Sequence, residues 1–111
     1  MASDRPEGAR AAHTIRLGPP WQVAAADGGT RHGRKFGRPR TLDAAERLWL
    51  VCEHLPGAAE VRVNGTVLGA PAAPGPFAAD ITPHLLPRNE VTVFVASDLP
   101  LGTVALEVRT G

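Results

Sequence analysis

The sequence predicts an all-β fold, an antiparallel β-sandwich of galactose-binding-like jelly-roll type with about eight strands, and three observations predict it. Short apolar runs that alternate with polar residues recur about every ten residues, separated by Pro, Gly, Asn and Asp. One of them, Val61-Arg62-Val63-Asn64-Gly65-Thr66-Val67-Leu68, is broken by Asn-Gly and resumes at once. A type I′ hairpin turn needs positive φ at both central positions, and Asn followed by Gly accepts it. Helix is confined to one expected turn.

Residues 1–12 are small and polar without periodicity and are expected to form a flexible N-terminal tail, leaving 13–111 as a single sandwich domain. Thr14-Ile15-Arg16-Leu17 alternates until Gly18-Pro19-Pro20 stops it, and Trp21-Gln22-Val23 alternates before Asp27-Gly28-Gly29 turns the chain. Arg31 to Phe36 reads as a third, basic strand of poor pattern. Glu46 to His54 is the strongest strand, with Leu48-Trp49-Leu50-Val51-Cys52 in succession and Leu55-Pro56-Gly57 closing it. The hairpin halves, Glu60 to Asn64 and Thr66 to Leu68, follow. Ala70-Pro71-Ala72-Ala73-Pro74-Gly75-Pro76 must be exposed loop, because proline cannot donate to a ladder. Phe77 to Ile81 is again extended. Thr82-Pro83 reads as an N-cap and first helical residue of one turn through Leu86. Val91, Val93 and Val95, then Val104, Leu106 and Val108, mark the last two strands.

Length and composition fit that fold. A chain of 111 residues can bury roughly 65% of its unfolded surface and needs neither disulfide nor metal. The single cysteine, Cys52, lies in the most apolar run and reads as a small buried hydrophobe in a reducing compartment. No run approaches the ~20 apolar residues of a membrane span, nor is a signal-peptide stretch seen after Met1, so a cytoplasmic protein is expected. The net charge of +1 gives no general attraction to nucleic acid or to acidic membranes.

Arg47-Leu48-Trp49-Leu50-Val51, then Ala59-Glu60-Val61-Arg62-Val63-Asn64-Gly65 with Leu68-Gly69, then Pro76-Phe77 with Asp80-Ile81-Thr82, Leu85, and Asn89-Glu90-Val91-Thr92-Val93 together resemble the sugar-binding domain of family 2 glycoside hydrolases. That domain is the N-terminal jelly roll of the β-galactosidase and β-glucuronidase class. The resemblance runs over residues 34–96. It implies a fold and an ancestry in carbohydrate-associated architecture; the catalytic carboxylates of the parent enzymes lie on a separate barrel domain that this chain lacks.

The residues themselves point away from catalysis. Glycosidases hold two carboxylates in a cleft, about 5 Å apart when retaining, whereas the 11 acidic residues here are spread singly. Ser3 and Ser97 are the only serines and neither sits in a nucleophile elbow. Cys52 and His54 share strand parity, but a structural thiol beside a strand-end histidine is the simpler reading. His13, His32, His54 and His84 lack metal-ligand spacing, and no phosphate-binding glycine loop is present, so neither metal nor cofactor is expected. Asn64-Gly65-Thr66 matches a glycosylation sequon but serves as a turn.

Two candidate sites remain. The run 31–40 carries Arg31, Arg34, Lys35, Arg38 and Arg40 around Phe36 and could contact polyanions; the simpler reading is an edge strand whose charges deter edge pairing, with Phe36 in the core. Parity supplies the second. If Leu48, Leu50, Cys52 and the three valines 91, 93 and 95 face inward, then Trp49, Val51 and Phe94 face outward. Trp49, Phe94 and Arg47, with Trp21 nearby, form a candidate ligand site whose aromatic rings suit the apolar face of a sugar. The resulting expectation is a non-catalytic carbohydrate-binding-like module. The alternative is a protein–protein or homo-oligomerisation surface on the same outer face, with nucleic-acid binding through 31–40 as the weaker third.

Overall fold

The computed structural model describes residues 11–39 and 41–110, so most of the expected tail, and Arg40 of the basic run, lie outside the described residues. Among the described residues nine strands form: β1 (Ala11–Arg16), β2 (Gln22–Ala26), β3 (Gly29–Gly37), β4 (Glu46–Leu55), β5 (Ala59–Val63), β6 (Thr66–Gly69), β7 (Gly75–Asp80), β8 (Arg88–Val95) and β9 (Val104–Thr110). They make two antiparallel sheets, β1-β9-β4-β7 and β2-β3-β8-β5-β6. Only the β2-β3 and β5-β6 hairpins stay within one sheet; every other connection crosses to the opposite one. That crossing pattern makes the two sheets a sandwich around one core.

The core follows the alternation read from the sequence. Leu48, Leu50 and Cys52 of β4 and Leu106 and Val108 of β9 meet Val61 and Val63 of β5 and Val91, Val93 and Val95 of β8, and all are buried. Burying each such side chain is worth about 1.5–3 kcal/mol relative to leaving it in water. Phe36 joins them, as expected. Burial pushes the Cys52 thiol up to about 12, which keeps it protonated and unreactive at neutral pH.

Several expectations are corrected. The basic third strand is a nine-residue strand between β2 and β8, not an edge. A bulge between Cys52 and Leu55 breaks the parity that aligned Cys52 with His54: His54 is exposed and Leu55 is buried instead. Gly75 and Pro76 belong to β7 rather than to the preceding loop, which proline tolerates because β7 is an edge strand. The short helix is a 3-10 turn over Thr82–His84, with Ile81 at its N-cap. The hydroxyl of Thr82 does not cap it and serves the sheet instead.

Turns are as the sequence requires. Asn64 and Gly65 both have positive φ, at 52° and 84°, and join β5 to β6. Gly29, which starts β3, has no room for a side chain, since a Cβ there would lie 1.9 Å from the Val95 carbonyl oxygen. The edge strand β2 is exposed along nearly its whole length and carries no charged residue, with Val23 59% exposed.

Candidate functional site

The register defines two opposite ends of the sandwich. At one, β8 begins with Arg88 beside Gly37, followed by Asn89 beside Phe36, and β5 ends at Val63 beside Val91. At the other, β8 ends with Val95 beside Thr30, and β9 starts with Val104 beside Cys52.

The first end is stapled by polar side chains. The Asn64 Nδ2 group donates to His84 O at 2.8 Å and to Asn89 Oδ1 at 3.0 Å, while Asn64 Oδ1 accepts the Glu90 N–H at 2.9 Å. Buried Asn89 accepts the Leu86 N–H at 2.8 Å and donates to Leu86 O at 2.9 Å and Phe36 O at 3.4 Å. A second staple joins β4 to the 3-10 turn: Leu48 N donates to Thr82 Oγ1 at 2.8 Å and Ile81 N to Leu48 O at 2.8 Å. Asp80 Oδ1 accepts the Thr82 N–H at 2.9 Å, and Asp80 Oδ2 meets Arg47 Nε at 2.7 Å. The one hydroxyl hydrogen of Thr82 has two acceptors in reach, Leu48 O at 3.4 Å and the Asp80 carboxylate, of which the charged group is the stronger. Burial pushes the Asp80 carboxyl up, but hydrogen bonds from the Thr82 hydroxyl, from Arg47 and from the Thr82 N–H, with the Arg47 charge, hold it below the usual carboxylate range. Arg47, Asn64, Asp80, Thr82 and Asn89, prominent in the sequence motifs, thus hold the scaffold together.

The proposed aromatic platform is divided by the fold. Trp49 and Arg47 face outward from β4, in the sheet β1-β9-β4-β7, whereas Phe94 faces outward from β8 in the other sheet, where its neighbours across the strands are Arg31 and Glu60. The two rings lie on opposite sides of the molecule and cannot form one site. Trp21 is on neither face: it lies in the β1–β2 connection, and its indole N–H donates to Leu17 O at 3.0 Å. Trp49 has Glu107 and Asp80 as strand neighbours and the Arg109 guanidinium 4.4 Å above its ring. Arg109 also pairs with Glu107 at 2.9 Å. One face of the Trp49 ring is therefore already covered by a cation, a contact worth about 0.5–1 kcal/mol at an exposed position.

The basic run is divided as well. Arg31 and Lys35 point outward, while Arg34 points inward and donates through Nε to Gly18 O at 2.7 Å, and through its terminal nitrogen to Lys35 O. Arg38 reaches Leu85 O at 3.2 Å. Arg34 and Arg38 thus hold neighbouring segments, while Arg31 and Lys35 stand outward on β3. Among the described residues no group of three or more His, Cys, Asp and Glu could hold a metal, and no helix is long and apolar enough to cross a membrane.

A groove of about 720 Å³ opens at the stapled end, lined by Lys35, Phe36, Asn64, Arg88, Asn89 and Glu90, and the second end is open as well. A groove of about 580 Å³ lies there between the β1–β2 connection, the start of β3 and the strand-free segment 96–103, and Leu17, Trp21, Val23, His32, Leu99 and Leu101 line it. Thr30 Oγ1 anchors its wall by donating to Ser97 O at 2.8 Å, and Leu17 N donates to Val104 O at 2.9 Å. His32 is 5% exposed, and its Nε2 is the one buried side-chain nitrogen or oxygen without a hydrogen-bond partner among the described residues. Burial lowers its pKa below the usual 6.5, so the ring is neutral at pH 7. Sequence reasoning passed over His32 as one histidine of four. The signal available was parity: His32 lies four residues before Phe36 on one strand and so shares its inward face.

No protein-family profile matches the sequence, and no curated protein sequence matches it. Solved structures do share the fold. An FMN-binding β-glucuronidase from Facaelibacterium prausnitzii L2-6 superposes with a TM-score of 0.70 at 22% identity, covering 90% of this chain and 23% of that one. The β-D-glucuronidase of Dictyoglomus thermophilum gives 0.71 at 13% identity, covering 96% and 29%. The β-glucuronidase of Bifidobacterium dentium, complexed with coumarin-3-O-glucuronide, gives 0.69 at 18%, covering 95% and 31%. This chain therefore spans less than a third of each of these proteins and matches them over nearly its whole length. The sandwich inferred from the sequence and its resemblance is the fold of a region within β-glucuronidases.

Proposed function

We propose that this chain is a non-catalytic, carbohydrate-binding-like module. The observation that carries the reading is the coverage: the fold of nearly the whole chain recurs as a minor part of several β-glucuronidases. The state of the carboxylates supports the non-catalytic half. Asp80, Glu60 and Glu107 are each held by an arginine, at 2.7, 2.9 and 2.9 Å, whereas hydrolysis needs a carboxyl pair free to trade protons in a cleft. The buried free thiol of Cys52 fits a reducing, cytoplasmic setting.

Isothermal titration with methyl β-galactopyranoside, methyl β-glucopyranoside and methyl β-glucuronide, beside a release assay with the matching 4-nitrophenyl glycosides, tests the reading. Saturable binding without turnover is the expected result; turnover, or no binding to any of the three, overturns it. A second reading, assembly of copies through the outer face of β1-β9-β4-β7, draws on Trp49 standing with Val51, Ala78 and Ala105 on neighbouring strands of that face. Light scattering that gives a mass above one chain, reduced to one chain by Trp49→Glu, would favour it.

A further inference from the structure

We propose that the open-end groove is the ligand site of this module, and that it takes a neutral pyranoside ring stacked on Trp21 with a hydroxyl directed to His32. The proposal rests on the carbohydrate reading above and places its site away from Trp49, Phe94 and Arg47.

Three features of the groove fit that chemistry. First, its walls are mostly aliphatic and aromatic, and Trp21 is fixed in orientation by its own N–H bond to Leu17 O. A ring held from its polar edge offers its faces, and the C–H face of a pyranose suits such a surface. Second, a buried imidazole nitrogen without a partner costs free energy in the empty protein, which a ligand hydroxyl recovers by supplying the missing hydrogen bond. Neutral imidazole can accept through one nitrogen and donate through the other, as a sugar hydroxyl can in return. Third, the charged residues among the lining are Arg16 and Asp98, one of each sign. A rim with no net charge offers no general attraction to an anionic ligand, so a neutral pyranoside is preferred over a glucuronide.

The geometry also defines how the ligand enters. Nε2 lies beneath the floor rather than on it, so a hydroxyl reaches it only when the wall yields. The wall beside it is the strand-free 96–103, held to β3 by Thr30 Oγ1 donating to Ser97 O and bearing Leu99, 58% exposed.

The test uses the two tryptophans as separate reporters. Trp49→Phe leaves Trp21 as the sole indole and Trp21→Phe leaves Trp49, and each protein is titrated by fluorescence and calorimetry with the same three methyl glycosides. The expected result is a saturable fluorescence change for the neutral glycosides in Trp49→Phe, with the glucuronide weaker. Trp21→Ala should bind about tenfold more weakly. Because Trp21 packs partly on the core, a measurement on the unaltered protein accompanies the variants: the imidazole 15N resonances of His32 should shift on adding methyl β-galactopyranoside. Binding that alters Trp49 and leaves Trp21 and His32 unmoved overturns this site while the carbohydrate reading stands. No binding of any glycoside by the unaltered protein overturns that reading and the site together.

Discussion

The two ends of the sandwich are made of similar strands but treat their polar groups in opposite ways. At the stapled end, Asn64, Asn89, Thr82 and Asp80 have their hydrogen-bonding groups matched to backbone or to one another. At the open end His32 is buried with Nε2 unmatched, beside a groove walled by a segment without strand. Matched buried polar groups fix one arrangement of the chain; an unmatched one leaves free energy to be gained on binding. The difference separates a region whose polar groups specify the fold from the region in which we place the ligand.

The largest effect that would break this comparison is at Asn89. Asn89→Ala removes bonds to Leu86, Phe36 and Asn64 at once and leaves buried backbone groups unpaired, so a loss of about 3 kcal/mol is expected from urea unfolding. A loss under 1 kcal/mol would mean that water replaces the staple and the two ends are alike. Gly29→Ala, at the open end, meets the Val95 backbone at 1.9 Å and should cost about 2 kcal/mol through displacement of β3 from β8; its effect is steric and leaves the polar contrast intact.

Thr82→Val keeps the shape of the side chain and takes away the acceptor for Leu48 N, for an expected loss of about 1–2 kcal/mol. The smallest effects sharpen the contrast through pH. Both Asp80 and His32 have folded-state pKa values below their ordinary ones. For each, the unfolded chain takes up the proton first, so stability is full above the ordinary value and falls as pH drops beneath it toward the folded one. For His32 that decline begins near 6.5, and for Asp80 near 3.8. His32→Leu should abolish the upper decline and raise stability at pH 7 by about 1 kcal/mol, since it removes a buried polar group without a partner. Thermal melts between pH 4 and pH 8 measure it; an upper decline unchanged by that substitution would assign it elsewhere.

The sequence conveyed the scaffold well because strand parity and turn chemistry are local. Val91, Val93 and Val95 and the Asn64-Gly65 turn could be placed from a few neighbours each, and their positions are as expected. The candidate ligand site was read poorly for the complementary reason. Parity shows that Trp49 and Phe94 face away from the core, but not that β4 and β8 belong to different sheets, which depends on strand order across the whole chain. The bulge after Cys52 adds one residue and inverts the phase beyond it, which no pattern in Glu53-His54 reveals. The open groove is assembled from segments around 17–32 and 97–104, far apart in sequence and without a motif in either.

The hairpin turn at Asn64 has a chemical consequence over time. A glycine after asparagine leaves the side-chain carbonyl carbon unshielded from the following backbone nitrogen, which makes this pair the most prone to spontaneous deamidation. In an aspartate at position 64 no amide hydrogens would remain for His84 O and Asn89 Oδ1, and a negative charge would face both acceptors. One hydrolysed amide would thus turn two attractions into two repulsions at the stapled end, beside the turn that most clearly declares the fold.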